Sequence, residues 1–194
     1  DIRGIAMNGV EGEDINLTRY NALAIGAAFA HWLGFKTGKN SFDLKICVGR
    51  DPRITGPDLA DALMSGMAYL GVQVSDAGLA STPAMYMSTV MPYYEFDGAI
   101  MITASHLPFN RNGFKFFTAE GGLNKADIKE VLEYALYKAI NQEPFTHFIE
   151  PKAVKGLLEE YQEDNDYLLS WVKHEYMEKG WHELDVVPVF IVTR

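Results

Sequence analysis

A single cysteine, Cys47, stands in 194 residues, so no internal disulfide can hold this chain together. That excludes a small cross-linked scaffold and fits a reducing compartment; the expected location is the cytoplasm or the interior of an organelle. No apolar run approaches the ~20 residues that a membrane-spanning helix requires, and no secretory leader pattern is present. Positive charge is scarce too. With 17 Lys and Arg against 26 Asp and Glu, the net charge is −9. A surface of that sign repels nucleic-acid phosphates and anionic bilayers alike, so neither nucleic acid nor a membrane is an expected partner. An anionic small molecule stays open as a substrate, on condition that the fold builds a local positive site for it. Internal repeats and low-complexity tracts are absent, which leaves no argument for a repeat array.

What is present is the balance of a globular domain, 48% apolar and 22% charged, in a chain long enough for one full core and part of a second. Asp43 to Val48 alternates Leu44, Ile46 and Val48 on one face and predicts a strand. Thr55 offers an N-cap and Pro57 a first-turn residue for a helix whose apolar stripe is Leu59, Leu63, Met67 and Leu70, closed by Gly71. Val72 to Asp76 predicts a short strand and Gly98 to Thr103 an apolar one. Phe114 to Phe117 predicts a fourth, reversed in direction because only a tight loop precedes it. An earlier helix is expected from Thr18 to Leu33, burying Ile25, Phe29, Trp32 and Leu33. A later one follows an Asn124 cap, with Ile128, Val131, Leu132, Ala135, Leu136 and Ile140 at helical spacing. Strands alternating with helices predict an α/β fold: a three-layer α/β/α sandwich around a mostly parallel, mixed sheet.

Pro144 to Pro151 reads as a linker, followed by a helical stretch with Val154, Leu157, Leu158, Tyr161, Leu168, Trp171 and Val172. The chain stops on DVVPVFIVTR, where Val189 to Val192 has the pattern of a buried strand. The expectation is one domain over residues 1–142 and, over 143–194, a linker, a helix and the truncated start of a second domain. The opening on Asp1 rather than methionine and the stranded final segment together favour a fragment of a longer protein.

The chemistry concentrates in TASHLPFNRNGFKFF, residues 103–117. A strand end delivers Ser105 and His106 to the rim of the sheet, where α/β proteins bind ligands. Pro108, Asn110, Asn112 and Gly113 suit a tight turn whose N–H groups can converge on an anion. Lys115 then points from the next strand, with Phe114 and Phe116 on the opposite, core-facing side. A lysine near a serine hydroxyl serves as proton acceptor or as a charge clamp on a phosphoryl group. Residues 98–119 contain no acid. Ala104-Ser105-His106 is not the G-x-S-x-G elbow of a serine hydrolase. The residues alone lead to an anion site on an α/β domain, with a plain polar turn between two strands as the alternative.

The same stretch resembles the phosphoserine loop of the α-D-phosphohexomutases, the phosphoglucomutase/phosphomannomutase superfamily, whose pattern is T-A-S-H-N-P followed by N-G-x-K. Asp1-Ile2-Arg3-Gly4 is similar to that family's I-R-G segment, and Gly49-Arg50-Asp51-Pro52-Arg53 to its G-R-D-x-R segment. The resemblance covers residues 1 to about 142, the family's first domain. It implies an intramolecular phosphotransferase that interconverts hexose 1-phosphate and 6-phosphate, of glucose or mannose, through a hexose bisphosphate. Ser105 would be the phosphoryl carrier and, through its phosphate, a ligand of Mg²⁺. Lys115 would be the acid/base or electrostatic partner, with Arg3 beside it, both touching substrate, and His106 in the same site. Arg50, Asp51, Asn112 and Gly113 would support the loop. Leu107 departs from the family's Asn and removes a side chain able to cap the turn. The remaining metal ligands and sugar-reading loops belong to the family's domains II–IV, so these are expected partners, and the fragment by itself is expected to be inactive. The rival expectations are a stand-alone phosphate-binding or interaction module, and a hydrolase in which water discharges the phosphoserine.

Other candidates read as structure. His174-Glu175 and His182-Glu183 lack H-E-x-x-H spacing and suit a solvated helix face. His31 is expected at a helix C-terminus as a dipole partner. Met85, Met87 and Met91 are expected to fill the core.

Overall fold

The structure is a computed structural model that describes residues 1–141. The division at 142/143, the 144–151 linker, the helix after Val154, the Val189–Val192 strand and both His-Glu pairs lie outside the described residues.

The chain alternates β1 (Ile2–Ile5), α1 (Arg19–Thr37), β2 (Lys45–Arg50), α2 (Gly56–Tyr69), β3 (Gln73–Leu79), α3 (Thr82–Val90), β4 (Gly98–Ile102), β5 (Arg111–Thr118), β6 (Gly121–Gly122) and α4 (Lys125–Asn141). The sheet order is β1-β5-β4-β2-β3, with β6 beside β5. β2 runs parallel to β3 and β4, whereas β5 is antiparallel to both β4 and β1. β1, β2, β3 and β4 therefore end on one edge of the sheet, and the loops after them share that carboxyl edge. The expected α/β/α sandwich with a mixed sheet is observed, and β5 is reversed as its tight loop predicts.

Strand alternation sorts the core into two faces. Ile2, Ile46, Val48, Ile100, Ile102, Phe114 and Phe116 turn toward α1, α2 and α4. Cys47, Ala99 and Met101 turn the other way, onto Met85 of α3. α1 is buried along most of its length because it lies between α2 and α4. Its start is fixed by a reciprocal cap: Asn21 N–H donates to the Thr18 hydroxyl at 3.3 Å, and Thr18 N–H to the Asn21 side-chain oxygen at 2.8 Å. α1 and α2 approach backbone to backbone, and a Cβ on Gly26 would overlap the Leu63 carbonyl oxygen.

Several expectations are corrected. α1 runs on to Thr37, so His31 is not at a helix end; its ring stacks on Tyr134 of α4, centroids 3.7 Å apart. Thr55 precedes α2 but makes no side-chain cap; its hydroxyl accepts from Asn112 at 2.9 Å instead. The methionine segment is a helix, α3, begun by Ser81 accepting from Ala84 N–H at 3.3 Å. Met85 is buried, but Met87 and Met91 are 42% and 40% exposed. A short helix covers a sheet with one side, and its remaining apolar residues face outward. β1 is a strand that the sequence pattern did not reveal.

Candidate functional site

Ser105 lies in the loop after β4, at the carboxyl edge. Its φ of 57° places a serine in the left-handed region, where a side chain costs ~1–2 kcal/mol. Contacts on either side of its Cα hold it there. Its N–H donates to the Thr103 hydroxyl at 2.8 Å, and its carbonyl accepts from Arg53 Nη2 at 2.9 Å. The side chain is exposed, with Oγ 3.4 Å from His106 Nδ1. A residue fixed through its backbone and presented with an exposed hydroxyl is a ready acceptor for a transferred group.

Arg53, which the sequence reading passed over, organises this loop. Its Nη1 donates to the carbonyls of Pro108 (2.7 Å) and Arg111 (2.9 Å), its Nη2 to those of Ser105 and Leu107 (2.8 Å), and its Nε to Asp51 at 3.2 Å. A planar fork of N–H donors suits the gathering of several carbonyls, which a lysine would do less well. Leu107 N–H closes the turn on the Ala104 carbonyl at 3.0 Å, so backbone bonds fix the turn despite the missing Asn side chain.

Arg50 turns to Asp76 on β3, 3.4 Å away, and Arg53 holds the loop. Asp51 bonds both to Arg53 and to the strand end: Oδ1 accepts from Arg53 N–H, and Oδ2 from the Thr103 hydroxyl at 2.7 Å as well as from Arg53 Nε. Asn112, fully buried, ties β5 to the start of α2 through Thr55 and accepts from Gly113 N–H at 2.9 Å. Gly113 faces Arg3 across the β1–β5 ladder, where a Cβ would overlap the Ile2 carbonyl oxygen and press on the Arg3 side chain. Across the same rim, Glu13 accepts from Arg111 at 2.9 Å and Asn110 at 2.7 Å, and those bonds hold its carboxyl below the usual range.

Arg3 and Lys115 form a second group, on the sheet face that carries α3. Phe114 and Phe116 occupy the opposite face, as expected. Lys115 Nζ lies 2.6 Å from the Asp1 carboxylate, which Arg3 Nη2 also approaches at 3.4 Å. Burial, and secondly the charge of Arg3, pull the proton affinity of Lys115 below that of a free lysine, even with Asp1 in contact. In register, Lys115 sits opposite Met101, further down the sheet than Ser105. The structure thus brings Ser105 to His106 and Lys115 to Arg3, as two separate groups. Among the described residues there is no cluster of three or more His, Cys, Asp or Glu, and Asp51 has both oxygens engaged.

The fold and the loop define the class: an open α/β/α domain that presents a serine-bearing loop at the carboxyl edge of its sheet. Residues 1–144 match the family described as phosphoglucomutase/phosphomannomutase, alpha/beta/alpha domain I, and the chain belongs to that family. It is 38% identical over 143 residues to a phosphoglucosamine mutase of Corynebacterium efficiens, covering 73% of this chain and 32% of that protein. It is 41% identical over 115 residues to one from Ruminiclostridium cellulolyticum, covering 59% of this chain and 24% of the relative. A solved structure of a phosphoglucomutase/phosphomannomutase family protein from Burkholderia thailandensis is 28% identical, with TM-score 0.56 over 70% of this chain and 29% of the other. A chain from Thermus thermophilus, 23% identical with TM-score 0.53, covers 71% of this chain and 33% of its own length and shares the fold. The chain spans about a third of the length of the curated relatives it matches.

Proposed function

We propose that this chain is the first domain of a phosphohexomutase in which Ser105 carries the phosphoryl group. One observation carries the reading: an exposed serine hydroxyl at the carboxyl edge, on a backbone in the left-handed region pinned by Thr103 and Arg53. In the forward step, a hydroxyl oxygen of the hexose phosphate bonds to the phosphorus on Ser105, the Ser105 Oγ–phosphorus bond breaks, and the hydroxyl proton passes to a base. The product is a hexose bisphosphate, and return of its other phosphoryl group to Ser105 completes the isomerisation. Lys115 is the base on this reading, since its lowered proton affinity raises the share of neutral amine able to accept a proton. Arg3 beside it supplies charge to the moving phosphoryl oxygens. His106 shares the site. Mg²⁺, when bound, offsets phosphate charge; Ser105 would reach it through its phosphate, with its other ligands outside residues 1–141.

The sugar is set elsewhere, in the domains II–IV that complete the enzyme on this reading. Glucose and mannose follow from the resemblance, and the names of the curated relatives add glucosamine. The longer protein of which this is the first domain should isomerise one of the three 1-phosphates in a coupled assay with Mg²⁺. No turnover on any of them would overturn the proposal and favour a binding module.

A further inference from the structure

We propose that Thr103, Asp51 and Arg53 act together as a positioning device for Ser105, setting the aim of its hydroxyl rather than its charge. This rests on Ser105 being the phosphoryl carrier. Asp51 N–H bonds the Ile102 carbonyl at 3.0 Å and so extends the β2–β4 pairing past the strand ends. The Asp51 carboxylate then accepts from the Thr103 hydroxyl at 2.7 Å, and that hydroxyl accepts from Ser105 N–H at 2.8 Å. From the same carboxylate, Arg53 reaches the carbonyls on the far side of Ser105. The hydroxyl of Thr103 thus uses its donor on one partner and its lone pair on the other, a linkage that fixes direction at each atom.

Two features separate positioning from electrostatics. Asp51 and Arg53 neutralise each other, so the pair brings no net charge to a phosphate on Ser105. The contacts that Thr103 and Arg53 make with Ser105 are to its backbone, leaving Oγ exposed for transfer. Without this hold, nothing else in the described hydrogen bonds of Ser105 compels its left-handed backbone, and relaxation to an ordinary conformation would swing the hydroxyl away from its target.

The test compares Thr103→Val, Thr103→Ser and Arg53→Lys in the longer protein, reading kcat and KM together with phosphate occupancy of Ser105 by mass spectrometry. Thr103→Val has the right shape but cannot relay. It should lower kcat by about 10²-fold, the scale of a small misplacement of a reacting group, with KM little changed. Thr103→Ser, which restores the hydroxyl, should recover most of that loss. Arg53→Lys keeps the charge and loses the fork, and should reduce kcat in the same sense; it decides the matter if Thr103→Val does not fold. Thr103→Val and Arg53→Lys enzymes with kcat within twofold of the parent, or a Thr103→Ser enzyme no better than Thr103→Val, would overturn the positioning role while leaving the mutase reading intact. Loss of turnover in the unsubstituted protein would instead overturn the mutase reading.

Discussion

At the scale of single residues, the site sets backbone strain against side-chain freedom at Ser105. A left-handed serine is tolerated because Thr103 and Arg53 grip it. Ser105→Ala keeps the strain and loses the hydroxyl, whereas Ser105→Gly loses both. The glycine variant should therefore be the more stable by about 1 kcal/mol, read as a higher Tm, while both variants lack phosphoenzyme. Equal Tm values would mean that the left-handed backbone is not strained in the protein. Lys115 makes the complementary case. Burial and Arg3 lower its proton affinity in the folded state, so between that lowered value and the ~10.4 of a free lysine the unfolded chain binds more protons. Stability then rises with pH across that window, and Lys115→Met should abolish the rise. If Lys115 is the base, the same substitution should lower kcat by ~10²–10⁴-fold. Near-normal kcat would return Lys115 to the role of an ion-pair partner of Asp1.

At the scale of elements, the tightest junction is the crossing of α1 and α2, where a Cβ on Gly66 would overlap the Leu23 carbonyl oxygen. No rotamer change relieves a clash between backbones. Gly66→Ala should destabilise the domain by at least the ~1–3 kcal/mol typical of overpacking, seen in thermal unfolding; an unchanged Tm would show that the helices can slide apart freely. The elements legible in the sequence were those with a stripe, an alternation or a short apolar run: α1, β2, α2, β3, β4, β5 and α4. β1 stayed hidden because it is four residues long and carries Arg3 and Gly4 between its apolar ends. α3 stayed hidden because it buries Met85 and Thr89 alone, so its outward residues break any apolar period. Within the site, Ser105 and Lys115 were visible as chemical types beside a turn. Arg53 was not, because its partners are backbone carbonyls more than fifty residues away, and carbonyls leave no mark on a sequence. Its position two residues after Asp51 in the G-R-D-P-R segment was the available signal.

At the scale of the whole molecule, the helix packing fixes the direction of α4, the last described element. Lys36 pairs with Glu130 at 3.1 Å, Trp32 donates to the same carboxylate at 2.8 Å, and His31 stacks on Tyr134. Rising numbers on α4 meet falling numbers on α1, so the two helices are antiparallel. α1 begins at the carboxyl edge after β1, and α4 therefore ends there. Asn141, the last of the described residues, lies on the side that presents Ser105. On this account residues 1–194 alone should show no mutase turnover with glucose, mannose or glucosamine 1-phosphate at saturating Mg²⁺, and turnover near ~10 s⁻¹ would contradict it. The central claim, that Ser105 is the phosphoryl carrier, is tested most directly on the longer protein. Incubated with hexose 1,6-bisphosphate and digested, it should yield a single phosphate on the peptide containing Ser105. Active enzyme with Ser105 unmodified and the label on another residue would contradict the account.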